Sequence, residues 1–283
     1  MSPKRQTTVI NLYYNYFMEF ADSHAHLNDS AFEGDRKEII EQCFKAGVGT
    51  IAEIACEVQE WQPALDLSAA YEGKIFPVCG IHPDYASTLT DEKFKELETY
   101  LLKPQVKALG EIGLDYNEYD AQPKDRKIQQ QAFAKQLDLA AKVNLPVVLH
   151  CRKSRQADDF SAYEDMFAIL KNATFTGGIM HCFSGREKDA FRALDMGFKL
   201  GINGIIGYKR NDDLRAIIKK AGIKYLLLET DCPYLPPQSK RGQRNSPVNI
   251  PEIAQTIAEV CAEPLFKVAE ITTQNTCNVY NLK

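Results

Sequence analysis

All five histidines of this 283-residue chain stand where a short apolar run stops. His24 and His26 follow Phe20-Ala21, His82 follows Phe76-Pro77-Val78, His150 follows Val147-Val148-Leu149, and His181 follows Gly178-Ile179-Met180. Two acids share that placement: Glu111 in Ala108-Leu109-Gly110-Glu111-Ile112-Gly113 and Asp231 in Leu226-Leu227-Leu228-Glu229-Thr230-Asp231. Neutral imidazole nitrogens and carboxylate oxygens suit a divalent transition metal, and side chains at the ends of several buried strands converge in space. A lone histidine of this kind is more often structural, but four with two matching acids point to a metal site.

Those residues need elements to position them. Eight runs rich in Val, Ile, Leu and Phe, at 20–27, 48–56, 75–82, 106–115, 145–151, 176–183, 198–206 and 225–231, alternate with amphipathic stretches. The latter include Asp35 to Gly47, Thr90 to Leu102, Gln122 to Asn144, Arg186 to Met196 and Asp212 to Gly222, with Gly47, Gly197 and Gly222 as stop signals. Such alternation specifies parallel βαβ units, and eight of them fill one (β/α)8 TIM barrel. Pro251 to Tyr280 then form extra C-terminal helices. In this fold the chemistry lies at the C-terminal ends of the strands, where every candidate ligand falls. Strand alternation turns His24 and His26 toward the barrel axis and Ala25 toward the helices, with Asp22 on the histidine side.

Residues 1–17 contain Lys4, Arg5, Asn11, Tyr13, Tyr14, Asn15 and Tyr16, too polar for a secretory signal. They read as a dispensable N-terminal extension before a single barrel domain spanning 18–283, and translation from Met18 would omit them. Composition is ordinary for a globular domain, with 45% hydrophobic and 25% charged residues. A net charge of −4 argues against a general nucleic-acid coat while leaving room for a local phosphate pocket. No run of 18 apolar residues suggests a membrane span. Eight cysteines without paired spacing read as reduced thiols, which implies a cytoplasmic location. Cys151, Cys182 and Cys232 each follow a candidate ligand, so alternation turns them toward the helices as small apolar fillers.

Seven motifs occur in order: Asp22-Ser23-His24-Ala25-His26-Leu27, Gly80-Ile81-His82-Pro83, Gly110-Glu111-Ile112-Gly113-Leu114-Asp115-Tyr116, Leu149-His150-Cys151-Arg152, His181-Cys182-Phe183-Ser184-Gly185, Glu229-Thr230-Asp231-Cys232-Pro233-Tyr234-Leu235 and Arg244-Asn245-Ser246-Pro247. Together they resemble the TatD-type metal-dependent deoxyribonucleases of the amidohydrolase superfamily, across residues 18–283. The resemblance implies two divalent ions, one held by His24, His26 and Asp231, the other by His150 and His181, with Glu111 between them. Mg, Mn, Zn, Co, Ni or Fe all suit such ligands, and no organic cofactor is expected. It further implies hydrolysis of DNA phosphodiesters by two-metal activated water, with 3′-5′ exonuclease action on single-stranded ends.

Asp231 doubles as the acceptor of the water proton, and Glu111 and His82 complete the catalytic group. His82 is read as a phosphate contact or proton donor to the leaving group, against a structural histidine on a strand-end loop. Arg152, His82 and Tyr234 are the expected substrate contacts. Lys153, Arg155, Arg186, Lys209, Arg210, Lys240, Arg241 and Arg244 are further candidates for phosphates, and Tyr116 and Phe183 for bases. Glu229 orients a liganding imidazole or Arg152, or else sits in an ion pair within the barrel. An alternative keeps the metals and changes the substrate, to an ester such as D-aminoacyl-tRNA or another amidohydrolase substrate. A binding protein without turnover is the remaining reading, disfavoured because all six ligands are present.

Overall fold

The computed structural model describes residues 18–117, 125–155 and 159–282. Eight strands run parallel in sequence order: β1 (Phe20–Ala25), β2 (Val48–Ala55), β3 (Ile75–Cys79), β4 (Ala108–Asp115), β5 (Val147–Arg152), β6 (Gly178–Met180), β7 (Phe198–Ile202) and β8 (Leu226–Leu228). Helices α1 (Arg36–Lys45), α2 (Val58–Ala70), α3 (Asp91–Leu101), α4 (Arg126–Val143), α5 (Ser161–Leu170), α6 (Glu187–Asp195) and α7 (Asp212–Ala221) join successive strands. After β8 come α8 (Ile250–Cys261) and α9 (Leu265–Tyr280). The chain is a (β/α)8 barrel with extra C-terminal helices. Residues 1–17, read as a dispensable extension, and Gln122, the expected start of the fourth helix, lie outside the described residues.

Local signals end the elements where expected. Gly47, Gly197 and Gly222 take φ of 88°, 89° and 82° after α1, α6 and α7, a conformation that costs a side chain but not glycine. Several strands stop short of their apolar runs, however. β6 and β8 are three residues each, and after β7 the Asn203 side chain caps a 3-10 turn at Gly204–Gly207 instead of extending the strand to 206. Gly204 permits that turn because a Cβ there would come within 2.5 Å of Leu235 O.

Two apolar layers result. The larger lies between strands and helices and contains Ala25, Leu114, Leu149, Cys151 and Cys232. The smaller fills the barrel from alternate strand positions, among them Ala52, Ile54, Phe76, Val78, Val148, Ile179 and Leu227, and Tyr280 of α9 joins it beside Phe76. Among the described residues, backbone closure between β1 and the chain after β8 lies near the mouth, through Asp231 N–H to His24 O (2.9 Å) and His26 N–H to Cys232 O (2.9 Å). Below it α9 covers the seam. Thr273 donates to Glu19 O (3.1 Å), Asn275 to Leu226 O (2.8 Å) and Tyr280 to Ser23 O (2.8 Å), satisfying carbonyls that no strand reaches. Among the described residues no helix is long and apolar enough to cross a membrane.

Candidate metal centre

The barrel brings all six expected ligands to one spot. Glu111 is central: its Oε2 lies 3.3 Å from His24 Nε2, while Oε1 lies 2.5 Å from His150 Nδ1 and 3.5 Å from His181 Nε2. Asp231 Oδ1 stands 3.5 Å from His26 Nε2, 3.8 Å from His24 Nε2 and 3.9 Å from His181 Nε2. His24 Nε2 and His26 Nε2 are 3.3 Å apart, and the His24 and His181 rings stack at 3.4 Å. Ligands about 2.1 Å from a tetrahedral ion are about 3.4 Å from one another, so the separations of 3.3–3.9 Å suit a shared cation, while Glu111 and His150 at 2.5 Å stand in direct hydrogen-bond reach. Donor chemistry and spacing both fit divalent ions.

Electrostatics support the same fit. Burial disfavours a charged ring at His26, His150 and His181, yet facing carboxylates outweigh it and raise them to about 9, 9 and 10. Asp231 does this for His26, Glu111 for His150, and Glu229 with Glu111 for His181. His24, buried and beside His181, goes down instead. Burial raises Glu111, but the charges of His181, His150 and His24 carry it well below the usual carboxylate range. The carboxylates therefore gather positive charge, as protons or as cations.

The backbone at the mouth is built for this convergence. His181 and Asp231 lie beyond the regular ends of β6 and β8, and Cys182 and Asp231 adopt left-handed φ of 46° and 57°. Asp22 stitches β1 to the chain after β8, accepting His24 N–H (3.1 Å), Thr230 N–H (3.0 Å) and Thr230 Oγ1–H (2.5 Å). Its support for the histidines is thus to backbone and not to an imidazole. Glu53 holds the chain after His26 by accepting Leu27 N–H (2.8 Å) and Asn28 N–H (2.9 Å).

A model of TatD-related DNases matches residues 21–281. The chain belongs to the TatD-related DNase family. As a member it is a metal-dependent hydrolase acting on ester bonds. A Bacillus subtilis relative named an uncharacterized metal-dependent hydrolase, YabD, is 34% identical, with 92% of this chain and 98% of the relative covered. A Cronobacter sakazakii relative named 3′-5′ ssDNA/RNA exonuclease TatD is 33% identical over 90% of this chain and 95% of its own. The crystal structure of the Escherichia coli TatD homologue YjjV superposes with a TM-score of 0.84 at 31% identity, covering 94% of this chain and 99% of that one.

Around the TatD-type cluster the other sequence candidates divide. His82 lies 3.9 Å from Glu111 Oε1 through Nε2 and 4.5 Å from the His150 ring. Tyr234 is 54% exposed beside His26, with ring centroids 6.2 Å apart, and Arg152 is exposed at the last position of β5. Glu229 serves an imidazole and not Arg152: Oε1 is 3.1 Å from His181 Nδ1, though off the hydrogen-bond direction, and accepts Cys182 N–H at 2.7 Å.

Five expectations need correction. Tyr116 and Phe183 are buried, and Tyr116 donates to Asp165 Oδ2 (2.8 Å), so neither can stack on a base. Arg186 is engaged by Asp189 (2.6 Å) and Glu164 (2.8 Å), and Arg244 by Asp35 (2.5 Å). Cys182 does not face the helices: it lies past β6 in left-handed backbone, where alternation no longer holds, and its Sγ accepts from Asn203 Nδ2 at 3.1 Å. Cys151 and Cys232 do join the layer between strands and helices.

Sequence reasoning missed two neighbours of the cluster. Asp115 Oδ2 faces His150 Nε2 at 3.2 Å, leaving Nδ1 for Glu111. Its position two residues from a glycine of the third motif carried no chemical signal. Cys56, at the end of β2, places Sγ 3.8 Å from Glu111 Oε2.

Proposed function

We propose that the protein removes nucleotides from the 3′ ends of single-stranded DNA, using two divalent ions held by His24, His26 and Asp231 on one side and His150 and His181 on the other, with Glu111 between them. The observation that carries this reading is the division of Glu111, one oxygen toward His24 and the other toward His150 and His181. The name of the Cronobacter sakazakii relative, a 3′-5′ ssDNA/RNA exonuclease, supports strand and polarity. Bound at such a site, divalent cations polarise a phosphodiester oxygen and lower the pKa of water.

The chain's own groups have separable tasks. Asp231 is the better placed proton acceptor, since its side chain is 15% exposed against 4% for Glu111. His82 accepts the Asp84 N–H through Nδ1 (3.1 Å), so its neutral ring carries the proton on Nε2, aimed at the site. Burial and the neighbouring His150 lower His82 to about 4, so at neutral pH it acts as a hydrogen-bond donor to the phosphate and not as a cation. Arg152 supplies charge for a phosphate and Tyr234 a face for a base. Eight free thiols, most of them buried, support a reducing compartment, the cytoplasm.

End-labelled single strands, digested across a divalent-metal series beside covalently closed circles, test the proposal. Cleavage should proceed from the 3′ end, and Glu111→Ala and Asp231→Asn should each abolish it. Retained activity in both variants refutes the site, and rapid cutting of closed circles refutes exonuclease action.

A further inference from the structure

We propose that Tyr85 and Tyr234 form a two-ring clamp on the β1–β3 side of the barrel mouth, stacking the terminal nucleobase of a single strand. This rests on the nuclease reading and adds the residues that seat the strand's end. Among the described residues the exposed large aromatic side chains are Tyr85 (36%), Tyr234 (54%) and Phe266 (45%). Phe266 lies on α9 near Met18 and Glu19, away from the mouth. The two tyrosines flank the cluster: Tyr85 meets the His82 ring at 6.4 Å and 68°, and Tyr234 meets the His26 ring at 6.2 Å and 71°. Each presents an edge to an imidazole and leaves ring surface exposed. Both rings thus border one cluster, since His82 Nε2 lies 3.9 Å from Glu111 Oε1 and His26 Nε2 lies 3.5 Å from Asp231 Oδ1.

The ring of Tyr234 and the backbone of Tyr85 are held before any ligand arrives. Tyr234 donates its hydroxyl to Asp29 Oδ2 (3.0 Å), and Tyr85 sits in the 3-10 turn Pro83–Thr88 with its N–H on His82 O (2.8 Å). Preset rings lose little freedom on stacking, and a base face suits any nucleotide.

The test uses the full-length protein with its divalent cation and 5′-labelled single strands that end in an ordinary or an abasic 3′ nucleotide. For the wild type the abasic end should raise KM roughly ten- to hundredfold, the scale of one lost stack, with a smaller change in kcat. Tyr85→Ala and Tyr234→Ala should show that loss on the ordinary strand and no further loss on the abasic one, while Tyr85→Phe should behave as the wild type. Losses that multiply between Tyr85→Ala and the abasic end overturn the clamp, as does indifference of the wild type to the abasic end. Absence of metal-dependent cleavage of any strand by the wild type refutes the nuclease reading and the clamp together.

Discussion

Replacing Gly201 by alanine should loosen the metal centre without touching a ligand. An alanine Cβ at this buried β7 position would fall 2.1 Å from Glu229 Oε2 and 2.7 Å from Cδ. Gly201 is not among the glycines with left-handed φ, so the effect is spatial and not conformational. Glu229 is fully buried, accepts Cys182 N–H at 2.7 Å and faces His181 Nδ1 at 3.1 Å, so the displaced carboxylate cannot swing into water. Losing a hydrogen bond to a charged acceptor costs about 1.5–3 kcal/mol, and forcing a methyl into a packed site about 1–3 kcal/mol. Since relief of one lessens the other, we expect destabilisation of about 2–4 kcal/mol, or about 5–15 °C in Tm for a domain of this size. Displacing a carboxylate that orients a liganding imidazole should weaken metal binding about 10- to 100-fold. Competition against a chromophoric chelator measures the affinity, and unfolding in excess chelator measures the apoprotein's stability. Glu229→Gln should weaken binding similarly, and the double variant should be no worse than the single ones. Affinity within twofold of the wild type in Gly201→Ala, or effects that multiply, would refute the role given to Glu229.

Three other expectations concern the seam, the acids and the ions. Tyr280→Phe removes the donor to Ser23 O and should cost about 1 kcal/mol in urea unfolding, against about 3–5 kcal/mol for Tyr280→Ala, which opens a cavity inside the barrel. Burial raises Glu53 to about 7 from 4.5, so its contribution is full below about pH 4.5 and is lost as pH rises through 7. In chelator-treated protein the stability of the wild type relative to Glu53→Gln should fall over that window by at most about 3 kcal/mol, a comparison that cancels the opposite contributions of His24 and His82 and the parallel one of Asp22. Chelation should lower Tm reversibly, because an ion at 100 times its Kd stabilises by about 2.7 kcal/mol; a Tm indifferent to chelator and metal would count against the centre.

Much of the site was legible in residue order because its geometry repeats. A ligand at a strand end needs only that strand's period of two, and His24, His26, Glu111 and His150 obey it within β1, β4 and β5 or a residue beyond. Legibility failed where the regular strand stops. Cys182 was assigned a side by counting through a strand that had already ended at Met180, and its positive φ turned it to the mouth. Tyr116, Arg186 and Arg244 looked available for substrate because their partners Asp165, Glu164 and Asp35 come from other segments of the chain.

The order and types of the strand-end residues thus determined the barrel, the six-donor set and the family, since alternation and apolar runs act over a few neighbouring residues. Tertiary structure alone decided which oxygen of Glu111 meets which imidazole, that Glu229 and Asp115 face His181 and His150, and that Tyr85 stands exposed beside His82. Those relations join side chains many residues apart, and the distances between them exist only once the eight strands have closed around a common axis.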